Sequence, residues 1–332
     1  VLPSLCCLVV IFMLPASTSS DKFPVITTSY GSLQSYSFTA EDRTKAQIFK
    51  RIPFASPPIG DLRWKKPQPP QPWNGTRDST FFGPACPQKS IFYDGTPSGF
   101  SKDCLHLNVY SSKDCLEVSD WTKMFEILLT SLSADMVLGD YPDETLGRNF
   151  VSQGIVVVTT AYRLGVFGVM AIGDENVLSA NLALHDIIAA LKFTRREIGN
   201  FGGDKERITL LGHSAGAKIA LMVAFSPGIS KPGEKRLFNN VISMSGPSSL
   251  ETQEETVQRS HAFATELLCK GSASEIMTCL RVFDTKIKKN FERFQGPSGV
   301  TMAGELFPIK SERELRERND TIRLLMRSTI YE

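Results

Sequence analysis

The stretch "RITLLGHSAGAKIALMVAF", residues 207–225, decides the fold of this 332-residue chain. Residues 207–212 form a short apolar run that predicts a strand, and residues 217–225 predict a helix. Between them stands Gly-X-Ser-X-Gly, centred on Ser214, and its two glycines suit a sharp turn in which side chains would clash. We therefore predict that Ser214 projects from the edge of a sheet at a helix N-terminus, where backbone N–H groups favour negative charge. The alternative is a glycine-rich turn that holds an idle serine.

Segments near this stretch alternate between strand and helix patterns. The β-branched residues 154–162 predict a buried strand, residues 181–198 have helical spacing, and residues 240–246 predict the next strand. This alternation predicts the α/β class, with a mostly parallel sheet covered by helices on both faces. The proline-rich residues 52–74 predict an extended, irregular surface segment, and the charged residues 310–320 predict a solvated helix.

The composition is that of an ordinary globular protein, with 42% hydrophobic and 22% charged residues and a formal net charge of +2. No Lys/Arg-rich block is present, so the composition does not indicate a nucleic-acid partner. Residues 5–14 form an unbroken apolar run, followed by Pro15 and small residues. This pattern predicts a signal peptide over residues 1–20 and a secreted protein. The run is shorter than the about 20 residues of a membrane-spanning helix, and a buried N-terminal helix is the alternative.

The cysteines and the sequons agree with secretion. The predicted signal peptide is followed by an odd number of cysteines, whose pairs remain open because spacing alone does not assign them. They are Cys86, Cys104, Cys115, Cys269 and Cys279. Two Asn-X-Thr sequons, at Asn74 and Asn319, are candidate glycan acceptors in a secreted protein.

Several sequence blocks resemble, in the same order along the chain, those of the type-B carboxylesterases, a family that also includes the cholinesterases and several non-catalytic adhesion proteins. Between about Tyr30 and the last residue these blocks are "IPFASPPIGDLRW", "FFGPACPQ", "SKDCLHLNVY", "GIVVVTTAYRLGVFG", "NFGGDKERITLLGHSAGA" and "SMSG". The resemblance implies an α/β-hydrolase fold, with a mostly parallel central sheet flanked by helices. It also implies that residues 21–332 form a partial domain, from which the C-terminal part of the fold is missing.

The resemblance further implies three pairings and one departure. It pairs Cys86 with Cys104, Cys269 with Cys279, and Arg163 with Asp186 in an ion pair. The family also carries a glutamate in "SEDCL" that pairs with the arginine of its "LRF" block. Here Lys102 and Arg63 stand at these two positions, so two like charges replace an ion pair.

The resemblance places three catalytic groups on this chain. Ester hydrolysis needs an activated serine, a histidine base, an acid that orients the histidine, and an oxyanion hole. By resemblance, Ser214 is the nucleophile, the N–H group of Ala215 is an oxyanion donor, and Glu332 is the acid within "RLLMRSTIYE". Glu332 is the last residue of the sequence, and the alternative is a charged residue at a frayed terminus.

The catalytic histidine has no counterpart in this sequence. In α/β-hydrolases the base follows the acid along the chain, whereas every histidine here precedes Glu332. They are His106, His185, His213 and His261. We expect the side chain of His213 to point away from Ser214, and we expect the base further along a longer chain.

The oxyanion loop also departs from the family. The block "LSADM", residues 132–136, stands where the family carries "HGGGF", so Ser133, Ala134 and Asp135 replace glycines whose N–H groups bind the oxyanion. Residues 118–135 as a whole look unlike the family, whereas both flanks match it. This abrupt block favours an altered exon or an erroneous gene model, and Cys115 at its edge is left without a cysteine partner.

These features predict a secreted serine esterase that acts on a small-molecule ester and uses neither a metal nor an organic cofactor. The chain as given is expected to be inactive alone. A choline ester is an unsuitable substrate, because residues 90–100 lack the tryptophan with which cholinesterases bind the ammonium group. One alternative is a non-catalytic extracellular binding protein with a protein partner, and another is a fragment without independent function. We expect neither a nucleic-acid partner nor a membrane span.

Overall fold

A computed structural model of the protein describes residues 24–88, 99–112, 125–131, 143–229, 236–246, 252–282, 300–301, 304–307 and 323–327. In chain order the strands are β1 (Val25–Thr28), β2 (Gly31–Gln34), β3 (Tyr36–Thr39), β4 (Lys45–Pro53), β5 (Thr76–Asp78), β6 (His106–Ser112), β7 (Phe125–Ser131), β8 (Val156–Thr160), β9 (Gly203–His213), β10 (Asn240–Met244) and β11 (Arg323–Arg327). The helices are α1 (Asp143–Asn149), α2 (Gly165–Gly168), α3 (Leu182–Glu197), α4 (Ala215–Phe225), α5 (Gln253–Glu266) and α6 (Ala273–Val282).

Within the described residues, the central sheet has the strand order β11-β10-β9-β7-β8-β6-β4-β3. The strands from β11 to β8 are parallel to one another, whereas β6, β4 and β3 are antiparallel to their neighbours. The strands β1, β2 and β5 form a separate small sheet. The mostly parallel sheet confirms the predicted α/β class. The carboxyl ends of its parallel strands meet at one edge, which is where ligands bind in such sheets.

The strand β8 and the helix α3 form the centre of the core. All five residues of β8 are buried, as expected for a strand with neighbours on both sides and helices on its faces. On α3, Leu184, Ile187 and Leu191 are fully buried and belong to the same hydrophobic cluster as the sheet. They follow the helical spacing that the sequence indicated, and most of the helix is buried around them. Burial of each such side chain contributes about 1.5–3 kcal/mol.

A second cluster joins α5 and α6 to the proline-rich segment. Phe263 of α5, Met277 of α6 and Trp64 are buried together. Trp64 stacks on Phe167 at 5.7 Å between ring centroids and donates a hydrogen bond to the carbonyl oxygen of Val166. The proline-rich segment is irregular, as predicted, but the expectation that it lies only at the surface is wrong, because the Trp64 side chain reaches the core.

The strand β7 has no counterpart among the predicted elements. It lies between β8 and β9 and pairs with both in parallel, although it falls within residues 118–135, whose sequence is interpreted above as unlike the family. Its sequence, "FEILLTS", is a short apolar run with high strand propensity. The position in the middle of the sheet depends on partners that are distant in sequence, so the run alone did not reveal it.

The other predicted elements lie close to their observed bounds. The predicted strand 207–212 is the second half of β9, which begins at Gly203, and the predicted helix 217–225 begins two residues earlier, at Ala215. The predicted helix over residues 310–320 lies outside the described residues, as do the predicted signal peptide and Cys115. No helix in the described ranges is long and apolar enough to cross a membrane.

Both disulfides implied by the family resemblance are present. Cys86 is bonded to Cys104, and Cys269 is bonded to Cys279, which closes a loop between α5 and α6. The sequon residue Asn74 is exposed, as a glycan acceptor must be. Asn319 lies outside the described residues.

Candidate active site

Ser214 lies in the turn that joins β9 to α4. It has φ 55° and ψ −121°, a backbone conformation that residues other than glycine rarely adopt. Strained residues of this kind cluster at active sites, where the surrounding structure holds them in place. Here the backbone N–H of Ser214 donates a 2.9 Å hydrogen bond to the carbonyl oxygen of Met244, at the end of the neighbouring strand β10. The predicted strand–turn–helix is therefore present, with Ser214 at its sharpest point.

Gly212 explains why the turn requires glycine. An ideal Cβ atom at this position would lie 2.1 Å from the carbonyl oxygen of Gly216 and 2.6 Å from the backbone nitrogen of Ala217. Both atoms belong to the backbone of α4, so neither moves unless the helix moves. The first turn of α4 thus packs directly on the backbone of β9, and this close contact sets the direction in which Ser214 leaves the sheet.

Ala215 is positioned to donate its N–H group to an anion. It is the first residue of α4, and the first N–H groups of a helix have no acceptor within the helix. Among the described residues, no acceptor is paired with the Ala215 N–H. The adjacent Ser214 is half-buried, so an oxyanion formed on a substrate at the serine would meet this donor and the positive end of the helix dipole.

The end of β7 lies beside the serine turn. Ser131, its last residue, is the register partner of Gly212 and also of Thr160, the last residue of β8. The chain therefore leaves β7 next to the turn that carries Ser214, which is where an oxyanion loop from this strand would begin. The block 132–136 itself lies outside the described residues. The replacement of the family's glycines in this block therefore remains a prediction from the sequence.

Glu332 also lies outside the described residues. The last described strand, β11, pairs in parallel with β10, so its carboxyl end is at the same edge of the sheet as Ser214. The chain therefore leaves β11 at that edge. This topology agrees with the expected place of the acid but leaves the assignment of Glu332 a prediction.

The described structure shows no histidine bonded to the serine. No hydrogen-bond partner is found for the Ser214 hydroxyl among the described residues. His106 begins β6, His185 lies on α3, and His261 lies on α5 with its Nε2 atom 3.4 Å from the carbonyl oxygen of Ile172. His213 ends β9 and is the register partner of Met244. In the described ranges, none of the four histidines contacts the Ser214 hydroxyl as a base would.

Because His185 is buried, we predict that the free energy of unfolding falls at acid pH. Burial lowers the pKa of His185 from 6.5 to about 4, with smaller contributions from Lys66, Arg163 and Lys192 that are opposed by Glu305. In the unfolded chain the imidazole binds a proton below pH 6.5, whereas in the folded protein it does so only below about pH 4. Stability is therefore lost as the pH falls from 6.5 to 4, by about 3 kcal/mol for this residue.

This prediction is tested by urea unfolding between pH 4 and pH 8. We expect His185→Gln to flatten the pH dependence in the acid range while changing stability above pH 7 much less. The matched control is Gln258→Ala, which replaces an exposed side chain without an ionisable group and should leave the slope unchanged. An equal slope in the wild type and in His185→Gln would contradict the prediction.

The predicted ion pair between Arg163 and Asp186 is confirmed. Arg163 follows β8, and its Nε and Nη2 atoms donate to the two carboxylate oxygens of Asp186 on α3, at 2.8 and 2.7 Å. The backbone N–H of Arg163 donates to the same carboxylate at 3.0 Å, and its Nη1 atom donates to the carbonyl oxygen of Lys65. Both side chains are almost fully buried. The pair fixes the segment after β8 against α3, just behind the edge that carries Ser214.

The two cations Lys102 and Arg63 meet a common pair of aromatic rings. The Arg63 guanidinium lies 5.4 Å from the centroid of the Trp64 ring, and the Lys102 Nζ atom lies 5.9 Å from that of Phe167. Burial, and then the charge of Arg281, lower the pKa of Arg63. Contacts with the aromatic rings favour both cations.

The described residues contain no group of three or more histidine, cysteine or carboxylate side chains that could hold a metal ion. The chemistry that the site offers is that of a serine hydroxyl on a strained turn, beside an N–H donor with no acceptor among the described residues. The glycine spacing indicated the serine and the family resemblance indicated the Ala215 N–H, but neither revealed the neighbouring strand β7, which ends at the same edge.

Comparisons with known proteins agree with this architecture. A model of the carboxylesterase family matches residues 22–326. The chain is 33% identical over 285 residues to juvenile hormone esterase of Tribolium castaneum, a match that covers 83% of this chain and 47% of that protein. It is 36% identical over 247 residues to para-nitrobenzyl esterase of Bacillus subtilis (strain 168). That match covers 72% of this chain and 47% of the esterase. This chain thus spans about half the length of the curated relatives it matches.

A solved structure shares the fold. The crystal structure of juvenile hormone esterase from Manduca sexta, with OTFP covalently attached, superposes with a TM-score of 0.78. The superposition covers 91% of this chain and 59% of that chain, at 24% sequence identity. Together with the sheet order and the serine turn, this similarity shows that the fold is the α/β-hydrolase fold.

Proposed function

The chain belongs to the carboxylesterase family, and from this premise we propose that the protein is a carboxylic-ester hydrolase in which Ser214 is the nucleophile. The observation that carries the proposal is the conformation of Ser214, held at φ 55° between β9 and α4, beside an Ala215 N–H that has no acceptor in the described part of the chain. The substrate is a small-molecule ester. Neither a metal nor an organic cofactor takes part.

The proposed reaction proceeds through an acyl-enzyme. The Ser214 oxygen attacks the ester carbonyl carbon while a general base removes its proton, and the carbonyl oxygen becomes an oxyanion that the Ala215 N–H stabilises. Collapse of the tetrahedral intermediate expels the alcohol, which receives the proton, and leaves the acyl group on Ser214. Water then attacks the acyl group, regenerates the serine and releases the carboxylic acid. Glu332 is proposed as the residue that orients the base.

We infer that this chain has little activity alone. One oxyanion donor is lost for each glycine whose N–H is misplaced, and each such loss raises the barrier by about 2.7–4 kcal/mol. The residues Ser133, Ala134 and Asp135 stand at the glycine positions, and the Asp135 carboxylate would repel a neighbouring oxyanion. The base would be supplied by a histidine that is not among the four of this sequence.

Replacement of these glycines also favours a second candidate, a non-catalytic extracellular binding protein on the same fold with a protein partner. A fluorophosphonate probe separates the two functions, because it reacts only with an activated serine. We expect the full-length secreted protein to be labelled at Ser214, and we expect Ser214→Ala to abolish the labelling. The control Ser274→Ala, on the exposed face of α6, should be labelled like the wild type. A full-length protein that remains unlabelled would favour the binding protein.

Secretion is part of the proposal. It is supported by the apolar run over residues 5–14, by the two disulfides, which are typical of oxidising compartments, and by the exposed Asn74 in its sequon. Expression in a eukaryotic cell tests this point. The mature protein in the medium should begin near residue 21 and should shift in mass when an N-glycosidase removes its glycans, whereas retention in the cytoplasm would contradict secretion.

A further inference from the structure

A cavity of about 410 Å³ lies between α3 and the proline-rich segment, away from the serine turn. Its volume falls in the range of small-molecule sites, about 300–1,000 Å³. One wall is the face of α3 that carries His185, Ala189 and Lys192, and the opposite wall is the segment of Lys66, Pro67 and Pro69. None of its lining residues belongs to β9, α4 or the end of β10.

The walls of the cavity are held in place by packing and by hydrogen bonds. Tyr30 and Phe193 both line the cavity and stack with 5.7 Å between their ring centroids. On the opposite side, Ser56 fixes the proline-rich wall, because its backbone N–H donates to the carbonyl oxygen of Gln68 and its hydroxyl donates to that of Pro69. The apolar part of the cavity is therefore formed before any ligand arrives, which lowers the entropic cost of binding.

The rim of the cavity carries more positive than negative charge. Its cations are Lys66, Lys192 and Arg196, and its carboxylate is Glu305. Lys66 contacts Glu305 at 2.6 Å, and Arg196 contacts the buried carboxylate of Glu197 at 2.8 Å. Lys192 is exposed and forms no ion pair within the described part of the chain. Its ammonium group is the charge at this rim that remains uncompensated there.

The polar group at the inner wall does not cancel this charge. His185 is buried, and its Nε2 atom lies 3.8 Å from Glu305. Burial keeps the pKa of His185 near 4, so the imidazole is neutral at physiological pH. The pKa of Glu305 is lowered chiefly by the hydrogen bond from Lys66 and also by the charge of Lys192. Glu305 and Lys192 both line this cavity.

We propose that this cavity is a binding site for a small organic anion with an apolar body, such as a medium-chain carboxylate. The apolar body lies between Ala189 and the two prolines, and the anionic group lies at the rim against Lys192. Burial of the body removes apolar surface from water, and the charged hydrogen bond fixes the orientation. An uncharged compound of the same shape makes only the first of these two interactions.

Octanoate tests the proposal, with 1-octanol as the uncharged probe of matched length. Isothermal titration calorimetry on the folded protein should show binding of octanoate and at least tenfold weaker binding of octanol. We expect Lys192→Met to lower the affinity for octanoate by about tenfold, which corresponds to the loss of one charged hydrogen bond. The affinity for octanol should not change. The matched control Lys270→Met removes an exposed lysine elsewhere on the surface and should bind octanoate like the wild type.

A second variant tests the position of the apolar body. Ala189→Phe fills the cavity from α3 without changing any charge, and it should abolish binding of both probes while the unfolding midpoint stays close to that of the wild type. Octanoate binding that survives both Lys192→Met and Ala189→Phe belongs to another part of the molecule and overturns the proposal. Equal affinities for octanoate and octanol would also overturn it.

Discussion

Replacement of Asp186 by alanine is expected to lower the free energy of unfolding by about 3–5 kcal/mol. The carboxylate accepts three hydrogen bonds from Arg163, two from its guanidinium and one from its backbone N–H. The Asp186 side chain is fully buried, and that of Arg163 is 3% exposed. Without the carboxylate, the buried guanidinium keeps, among the described residues, only the carbonyl oxygen of Lys65 as an acceptor. The measurement is urea unfolding, in which the midpoint should fall while the slope stays constant.

Two further variants identify the cause of this loss. The double variant Arg163→Met/Asp186→Ala should be more stable than Asp186→Ala alone, because it removes the uncompensated charge together with its partner. The control Glu206→Ala breaks the pair that Glu206 forms with Arg195 at 2.9 Å, which is partly exposed, and it should cost no more than about 1 kcal/mol. If the double variant were less stable than Asp186→Ala, the buried charge would not be the reason for the loss.

Replacement of Gly212 by alanine is expected to destabilise the protein by about 3 kcal/mol or more, because the added methyl group overpacks a rigid contact. The new Cβ atom would lie 2.1 Å from the backbone oxygen of Gly216, so α4 must move away from β9. That movement also displaces Ser214 and the Ala215 N–H. We therefore expect a lower unfolding midpoint and, in the full-length protein, the loss of fluorophosphonate labelling.

Gly147 provides the matched control for this substitution. It lies within α1, and its ideal Cβ atom would be 3.7 Å from a ring carbon of Phe38, which is an ordinary van der Waals distance. Gly147→Ala should therefore raise stability by about 0.5–1 kcal/mol, since alanine suits a helix better than glycine does. If Gly212→Ala were tolerated as well as Gly147→Ala, the close packing of α4 on β9 could not be what holds the turn.

The parts of the structure that the sequence predicted are those that depend on local rules. The serine turn requires glycine at fixed positions on either side of Ser214, and the face of α3 repeats at helical spacing, so both can be read from a short window. No local spacing rule assigns the partners of the Arg163–Asp186 ion pair and of the two disulfides, so only the family resemblance indicated them. The assignments of Glu332 and of residues 132–136 remain predictions.

The parts that the sequence did not predict depend on contacts between distant segments. β7 lies in the middle of the sheet because it pairs with β8 and β9 on either side. Its own seven residues do not indicate these partners. The cavity beside α3 joins Tyr30, Lys66, Lys192 and Glu305, which are far apart in the chain and carry no common motif. Trp64, within a segment read as surface, packs into the core because α5 and α6 cover it.

The placement of β7 also bears on how such a chain can change during evolution. The backbone hydrogen bonds of a strand do not depend on which side chains it carries, so an unrelated apolar run can occupy the middle of this sheet and keep its register. The chemistry depends instead on the residues that follow the strand, beside Ser214. An exchanged exon that encodes both this strand and the loop after it would therefore preserve the sheet while it replaces the catalytic loop. A family of enzymes would gain an inactive member by such an exchange in one step.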